Sequence, residues 1–259
     1  MTDVTRSGPD QLPDVSFLLP FSFDCDQRLE NVWAIANWIR RHFRGPVLIG
    51  GHDLGKVEGL VRGLSVDLVP LEPDPDGQWR SAPVRNALAQ AAGTDLVAVW
   101  DADVWCPPDQ VRAAATRLRT GRAHFAYPYD GTFVHVNPAA AYAVQTGVDH
   151  PHDAHIVATH PGESVGGAVL FDADSYRQGG RENRQMIGWG PDDRERYDRF
   201  TGLGYRCARI PGPLYHLDHD RPHERYHGHP SYLANMQLFY GRPTLSVPDE
   251  NCPVCRTGS

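Results

Sequence analysis

Short apolar runs alternate along this chain with stretches whose apolar residues recur at helical spacing. Val15-Ser-Phe-Leu-Leu-Pro-Phe21 is a short apolar run closed by Pro20, which predicts a buried strand. Leu29, Val32, Trp33, Ala36, Ile39 and Phe43 then mark one face of a helix, with Asp26 as a cap and Gly45-Pro46 as the stop. A second strand spans 46–50, a weaker helix about 55–63, and a third strand 66–71. Residues 81–92 predict a helix with Ser81 as N-cap and Gly93 just past its end. Residues 95–100 form a fourth strand that runs straight into Asp101-Ala-Asp103, and Pro107-Pro108 opens a helix to about Thr120.

Strands separated by helices of this length imply βαβ units around a parallel sheet, with ligands outside the carboxyl ends of the strands. No G-x-G-x-x-G follows the first strand and no G-x-x-x-x-G-K-S/T occurs, so neither a dinucleotide fold nor a P-loop enzyme is supported. Beyond residue 125 the pattern loosens. It predicts helices at 138–145, at 191–203 with Pro191 in the first position, and at 232–240, with strands at 166–171, 205–210 and 214–217. Residues 1–14 read as a loose leader and 242–259 as a tail, leaving one α/β domain over 15–241.

Composition narrows the function classes. The net charge is −7, with no basic block, which argues against generic nucleic-acid or anionic-membrane binding. No apolar run approaches the ~18 residues of a membrane span, and the first fourteen residues lack a secretory apolar segment. Cys25, Cys106 and Cys207 are isolated, as expected of reduced thiols in a cytosolic protein. Cys252 and Cys255 form one C-x-x-C, a weak signal by itself.

Three segments carry candidate chemistry. In Asp101-Ala-Asp103 the i, i+2 spacing of a strand points both carboxylates at one site, where a divalent ion carrying a diphosphate would relieve their repulsion. Solvated aspartates at a loop entry would show the same two letters. In Gly188-Trp189-Gly-Pro-Asp192-Asp193 the acidic pair reads equally as a helix cap and as a catalyst. Trp189 between two glycines favours a ligand, since an indole offers a sugar ring a flat platform. Five of the 13 histidines fall between His216 and His229, where a ring could complete a metal site with Asp101 and Asp103. The same histidines could instead make a structural zinc site with Cys252 and Cys255, or simply populate a polar loop, the plainer account of His227 and His229.

Taken in order, these segments resemble glycosyltransferases of the GT-A fold, and within them the β-1,4-galactosyltransferase and polypeptide N-acetylgalactosaminyltransferase group. Leu18-Leu-Pro20-Phe21 with Arg28 resembles that group's nucleotide-contacting strand, and 82–87, with Asn86, its small-residue helix. Asp101-Ala-Asp103 sits where the group's metal motif ends a strand. Gly166-Gly167-Ala168, Gly179-Gly180 and 188–193 follow the spacing of its acceptor and catalytic segment. His219 falls at the place of its last metal ligand, and His216 at that of a softer one.

The resemblance implies a nucleotide-binding half (15–125), an acceptor and catalytic half (126–241), and a metal-dependent transfer from a UDP-sugar. Asp103, His219, His216 and Asp101 would hold Mn²⁺ or Mg²⁺, with Asp101 alternatively on the ribose. Pro20, Phe21, Arg28, Asn86 and Asp53 would contact the nucleotide, and Trp189, Gly167 and Gly190 the sugars. Asp193 would be the general base of an inverting reaction, assisted by Asp192, although a retaining variant is compatible with the relatives. The acceptor would be a glycan, a peptide or protein, or a small molecule. Lacking the membrane anchor of Golgi enzymes, the chain reads as a cytoplasmic bacterial or viral relative. The opposing class is a catalytically silent protein of the same fold with a structural zinc site. A hydrolase using Asp192 and Asp193 is disfavoured, because neighbours in one helical turn do not easily straddle a glycosidic bond at ~5–9 Å.

Overall fold

Runs of consecutively buried residues make the central strands. β1 (Val15–Pro20), β2 (Val47–Gly51) and β4 (Leu96–Trp100) are buried along their whole length, as strands covered on both faces must be. The computed structural model describes residues 11–52, 54–73, 77–188, 190–220 and 229–241. With β3 (Asp67–Pro70), these strands form a parallel unit in the order β4-β1-β2-β3. The helices between them are α1 (Asp26–His42), α2 (Gly55–Val61) and α3 (Ser81–Ala91).

The chain continues through β5 (Val104–Trp105), α4 (Pro108–Arg119), β6 (Phe125–Tyr127), β7 (Phe133–Val136), α5 (Ala139–Thr146) and β8 (Ile156–His160). It then forms β9 (Ala168–Asp172), α6 (Ala173–Gln178), α7 (Asp192–Gly202), β10 (Cys207–Arg209), β11 (Leu214–Leu217) and α8 (Pro230–Tyr240). β9 pairs antiparallel with β4 and β6, and β10 lies parallel to β6. The result is a seven-stranded, mostly parallel sheet, β10-β6-β9-β4-β1-β2-β3. A second sheet, β5-β11-β7-β8, covers its carboxyl edge: β11 runs antiparallel to β5 and parallel to β7.

Two aromatic clusters anchor the large sheet. Trp38 of α1 stacks on Trp100 of β4 at 5.9 Å, and Phe17 on Phe43 at 5.4 Å. On the α7 side Phe171 meets Phe125 at 5.4 Å and Phe200 at 4.9 Å. No helix among the described residues is long and apolar enough to cross a membrane.

Several boundaries differ from the expectation, each for a local reason. Leu12, assigned to a loose leader, is fully buried, and the Arg44 N–H donates to the Gln11 carbonyl at 2.7 Å. Ser81 is the first residue of α3 rather than its cap, and its hydroxyl donates to Asp192 instead of accepting from the N–H groups of the first turn. Pro191 is the N-cap of α7 rather than its first residue. The strand expected at 166–171 begins at Ala168, since Gly167 has φ +82°, outside the strand region. β8 escaped the pattern because it is largely exposed on both faces, so its sequence lacks the alternation of a half-buried strand, and β7 alternates over only four residues.

Replacing Phe171, which is fully buried, leaves a cavity that its aromatic neighbours cannot fill. Phe171→Ala is expected to cost ~3–5 kcal/mol in denaturant unfolding, and a loss below about 1 kcal/mol would contradict the packing described.

Candidate active site

At the end of β4 the chain turns sharply instead of continuing straight. The Asp101 N–H donates to the Gly167 carbonyl at 2.7 Å, and the Trp100 indole N–H to the Val104 carbonyl at 2.8 Å. Asp101–Asp103 is therefore a turn, and the chain re-emerges as β5. β11 pairs with β5 so that His216 stands opposite Val104, and the Leu217 N–H donates to the Asp103 carbonyl at 2.8 Å. This register sets residues 216–219 beside Asp103.

Asp103 Oδ2 lies 3.2 Å from His219 Nε2, and Asp103 Oδ1 3.8 Å from His216 Nε2. One ligand atom from each of the three residues falls within 4.8 Å of the other two. Arg28 of α1 reaches the same spot, its Nη1 3.4 Å from His219 Nε2 and 3.9 Å from Asp103 Oδ2. Burial would raise the Asp103 carboxyl, but His216, His219 and Arg28 outweigh it and hold the group well below the ordinary carboxylate range. Asp103 is thus an anion flanked by one guanidinium and two imidazoles. A divalent ion bonding its ligands at ~2.1 Å can join donors so spaced. The mixed carboxylate–imidazole set suits a transition ion such as Mn²⁺ better than Mg²⁺.

Across the cleft, two buried guanidinium groups hold four carboxylates. Arg85 of α3 donates from Nη1 to Asp192 at 2.9 Å and from Nη2 to Asp101 at 2.8 Å. Arg196 of α7 donates from Nη2 to Asp193 at 2.7 Å and from Nη1 to Glu182 at 2.8 Å. The Tyr176 hydroxyl donates to Glu182 at 2.7 Å, and the Ser81 hydroxyl to Asp192 at 3.2 Å. Burial, together with the Asp193 charge, pushes the Asp192 carboxyl up to about 6 against the pull of Arg85. Burial also raises Asp193; Arg196 and Arg85 oppose the rise, while Asp101 and Glu182 add to it. The second oxygen of Asp193 faces Gly166, where a Cβ would sit 2.8 Å from it. A side chain at 166 would displace the carboxylate, so glycine is needed there.

Most of the expected site residues meet in one cleft, and some do not. Pro20, Arg28, Asp101, Asp103, Gly190, Asp192, Asp193, His216 and His219 all line it. Asp101 lines it too, yet it is engaged by Arg85 and does not join the group of Asp103, His216 and His219. The i, i+2 rule for a strand does not hold in the turn. Phe21, expected at the nucleotide, has its ring fully buried in the core. Asn86 is buried as well: its amide donates to the Glu182 carbonyl at 3.0 Å and its oxygen accepts from the Glu182 N–H at 2.9 Å. It secures the Glu182 loop rather than facing the cleft. Gly167 lies at the adjoining chamber described below. Asp53 and Trp189 lie outside the described residues, as do Cys252, Cys255 and His227; His229 caps α8 by accepting from the Ser231 N–H.

Sequence reasoning missed Arg85, Arg196, Glu182 and Asn235. Asn235 of α8 brackets Ile187 with both amide atoms, at 3.0 and 2.7 Å, and so fixes the loop before Asp192. The available hint was Arg85 itself, a long cation in an α3 otherwise rich in small and apolar residues.

No protein-family profile matches the chain, and no curated protein matches it. Solved structures do. The mannosyltransferase PcManGT from Pyrobaculum calidifontis, in complex with GDP-Man and Mn²⁺, aligns at 18% identity with a TM-score of 0.51, over 83% of this chain and 59% of its own. GalNAc-T7 with UDP, GalNAc and Mn²⁺ aligns at 11% identity and a TM-score of 0.61, over 88% of this chain and 47% of its own. TarS 1-349 from S. aureus, in complex with UDP, aligns at 12% identity and a TM-score of 0.51, over 79% and 60%. The chain therefore spans between about half and three fifths of the length of these neighbours. Its mostly parallel sheet, with the antiparallel β9 and the small sheet capping the carboxyl edge, is the GT-A glycosyltransferase fold.

Proposed function

We propose that this protein is a metal-dependent glycosyltransferase that moves a hexosyl or N-acetylhexosaminyl group from a UDP-sugar to an acceptor hydroxyl with inversion. The observation that carries the reading is the convergence of Asp103, His216 and His219, three donors within 4.8 Å, on the cleft that also holds Asp192 and Asp193. Neighbours with the same fold were solved with Mn²⁺ beside GDP-Man or UDP, which supports both the ion and a nucleotide-linked donor.

Asp103, His216 and His219 would hold the cation, with Mn²⁺ the ion that the donor chemistry favours. When bound, it supplies Lewis-acid neutralisation of the leaving diphosphate. Arg28, within 4 Å of Asp103, adds a fixed positive charge on the diphosphate side. Asp193 accepts the proton of the acceptor hydroxyl while that oxygen attacks the anomeric carbon. The bond from that carbon to the phosphate oxygen breaks, and UDP leaves with the electron pair. A carboxyl raised by burial suits a base working near neutrality. Arg196 fixes the Asp193 oxygen it touches, leaving the other to face Gly166. Asp192, clamped by Arg85 and Ser81, holds the start of α7 and orients the sugar. In this reading 15–125 carries most of the donor side and 126–241 the acceptor side and the base, with His216 and His219 of the second half completing the cation site of the first.

Three outcomes check the assignment. In calorimetry, Asp103→Asn weakens Mn²⁺-dependent UDP binding by about tenfold or more; unchanged affinity would remove the cation site. Asp193→Asn spares UDP binding but lowers kcat by ~10²-fold or more, and near-normal turnover would disprove its role as base. The acid limb of kcat/KM lies above the ordinary aspartate range, because burial raises the Asp193 carboxyl and the base is lost as pH falls through its raised pKa. Asp101→Asn removes one of the charges that raise it and moves that limb to lower pH; a limb already at the ordinary aspartate value, about pH 4, and indifferent to this substitution would contradict the raised carboxyl.

A further inference from the structure

Beside the donor cleft lies a second chamber of about 430 Å³, within the range of ligand pockets. The two share Asp101, Asp193 and His216, so a group in the second chamber touches the same base. Its outer wall is built by β7 and by β8 with the loop after it, through Phe133, His160 and Glu163. Phe133 is half-buried, its ring 5.5 Å from that of His216, and it lies against Gly167, where a Cβ would be 3.2 Å from it. Glu163 and His160 are exposed at the rim.

Carboxylates dominate the charge around this chamber: Asp101, Asp193 and Glu163 line it, with His160 and His216 as its imidazoles. None of its lining residues is Lys or Arg. Arg85 and Arg196, the cations behind it, are outnumbered by Asp101, Asp192, Asp193 and Glu182, the carboxylates they hold. Arg209, the next nearest, donates to the Ser164 carbonyl at 3.0 Å and stacks over Tyr127 at 4.8 Å, behind the wall. On the other side of Asp101, Arg28 and His219 gather at Asp103, with His216 bordering both spaces. A diphosphate is drawn to that side. A carboxylate or phosphate on the acceptor would meet unbalanced negative charge.

We infer that this chamber is the acceptor subsite and that it takes a sugar hydroxyl on a ring bearing no anionic group, with an ammonium substituent favoured by Glu163. Phe133 supplies the apolar wall against which the ring rests. This inference rests on the glycosyltransferase reading, because it places the acceptor at Asp193.

The test uses the full chain saturated with UDP and Mn²⁺, into which three probes are titrated by calorimetry: methyl β-glucoside, methyl β-glucosaminide and methyl β-glucuronide. The expected order of affinity is glucosaminide, then glucoside, then glucuronide. Glu163→Gln narrows the gap between the charged probes by about two- to fivefold, the scale of an exposed charge pair, and Glu163→Lys reverses their order. Phe133→Ala weakens all three, while Phe133→Leu retains part of the binding. Glucuronide binding as tight as glucosaminide, an order indifferent to Glu163, or no binding by any probe while UDP still binds would overturn the acceptor assignment alone. Loss of Mn²⁺-dependent UDP binding in the unmodified protein would instead overturn the glycosyltransferase reading, and this inference with it.

Discussion

Carboxylates crowded at one edge of a sheet repel one another, and this site exists because cationic groups are interleaved among them. Arg85 and Arg196 are buried between Asp101, Asp192, Asp193 and Glu182. Both guanidinium pKa values are raised, as strong pairing requires: burial alone would lower them, and the surrounding carboxylates more than reverse that. Removing either Arg would leave buried negative charge without a partner, which is far more costly than losing a surface ion pair. The same logic operates at Asp103, where two imidazoles and Arg28 take the place of the buried arginines. There two of the balancing groups are imidazoles, whose ring nitrogens can also bind a metal ion, so one solution to repulsion is structural and the other is open to chemistry.

The backbone explains why the two solutions sit side by side. β4 ends in a turn held by Gly167, and β5 leaves it at an angle that lets β11 pair alongside. Residues more than a hundred positions apart thereby meet without any long side chain having to stretch. α7 starts at the opposite rim of the cleft, and its first turn delivers Asp192 and Asp193. The helix N-terminus favours their charged forms, while burial favours the neutral ones. For Asp192 and Asp193 burial prevails, and both carboxyls are raised.

Much of this was legible in the sequence because burial writes itself into strand composition. β1, β2 and β4 are apolar runs, and α1 carries its helical spacing openly. Asp103, His216 and His219 could be marked because few residue types bind a cation, and here they follow in the right order. Their partition could not be read: Asp101 and Asp103 are two letters apart, yet a turn sends one to Arg85 and the other to the imidazoles. Asn86 and Arg85 are neighbours, and only packing reveals that the arginine faces the cleft while the asparagine ties down a loop. Of the strands that wall the second chamber, β7 is only four residues long and β8 is exposed on both faces, so neither announces itself. The ion pairs of the buried network join α3, α7 and the Glu182 loop, a long-range arrangement that local patterning does not record.

The central claim is that one cation is held jointly by Asp103, His216 and His219. Pulsed electron paramagnetic resonance of Mn²⁺ bound to the protein reads it directly, through the coupling between the ion and directly bonded imidazole nitrogen. The account predicts coupling to two histidine nitrogens, reduced to one in either His216→Ala or His219→Ala. Bound Mn²⁺ showing no nitrogen coupling, or a coupling unchanged in both variants, would contradict it.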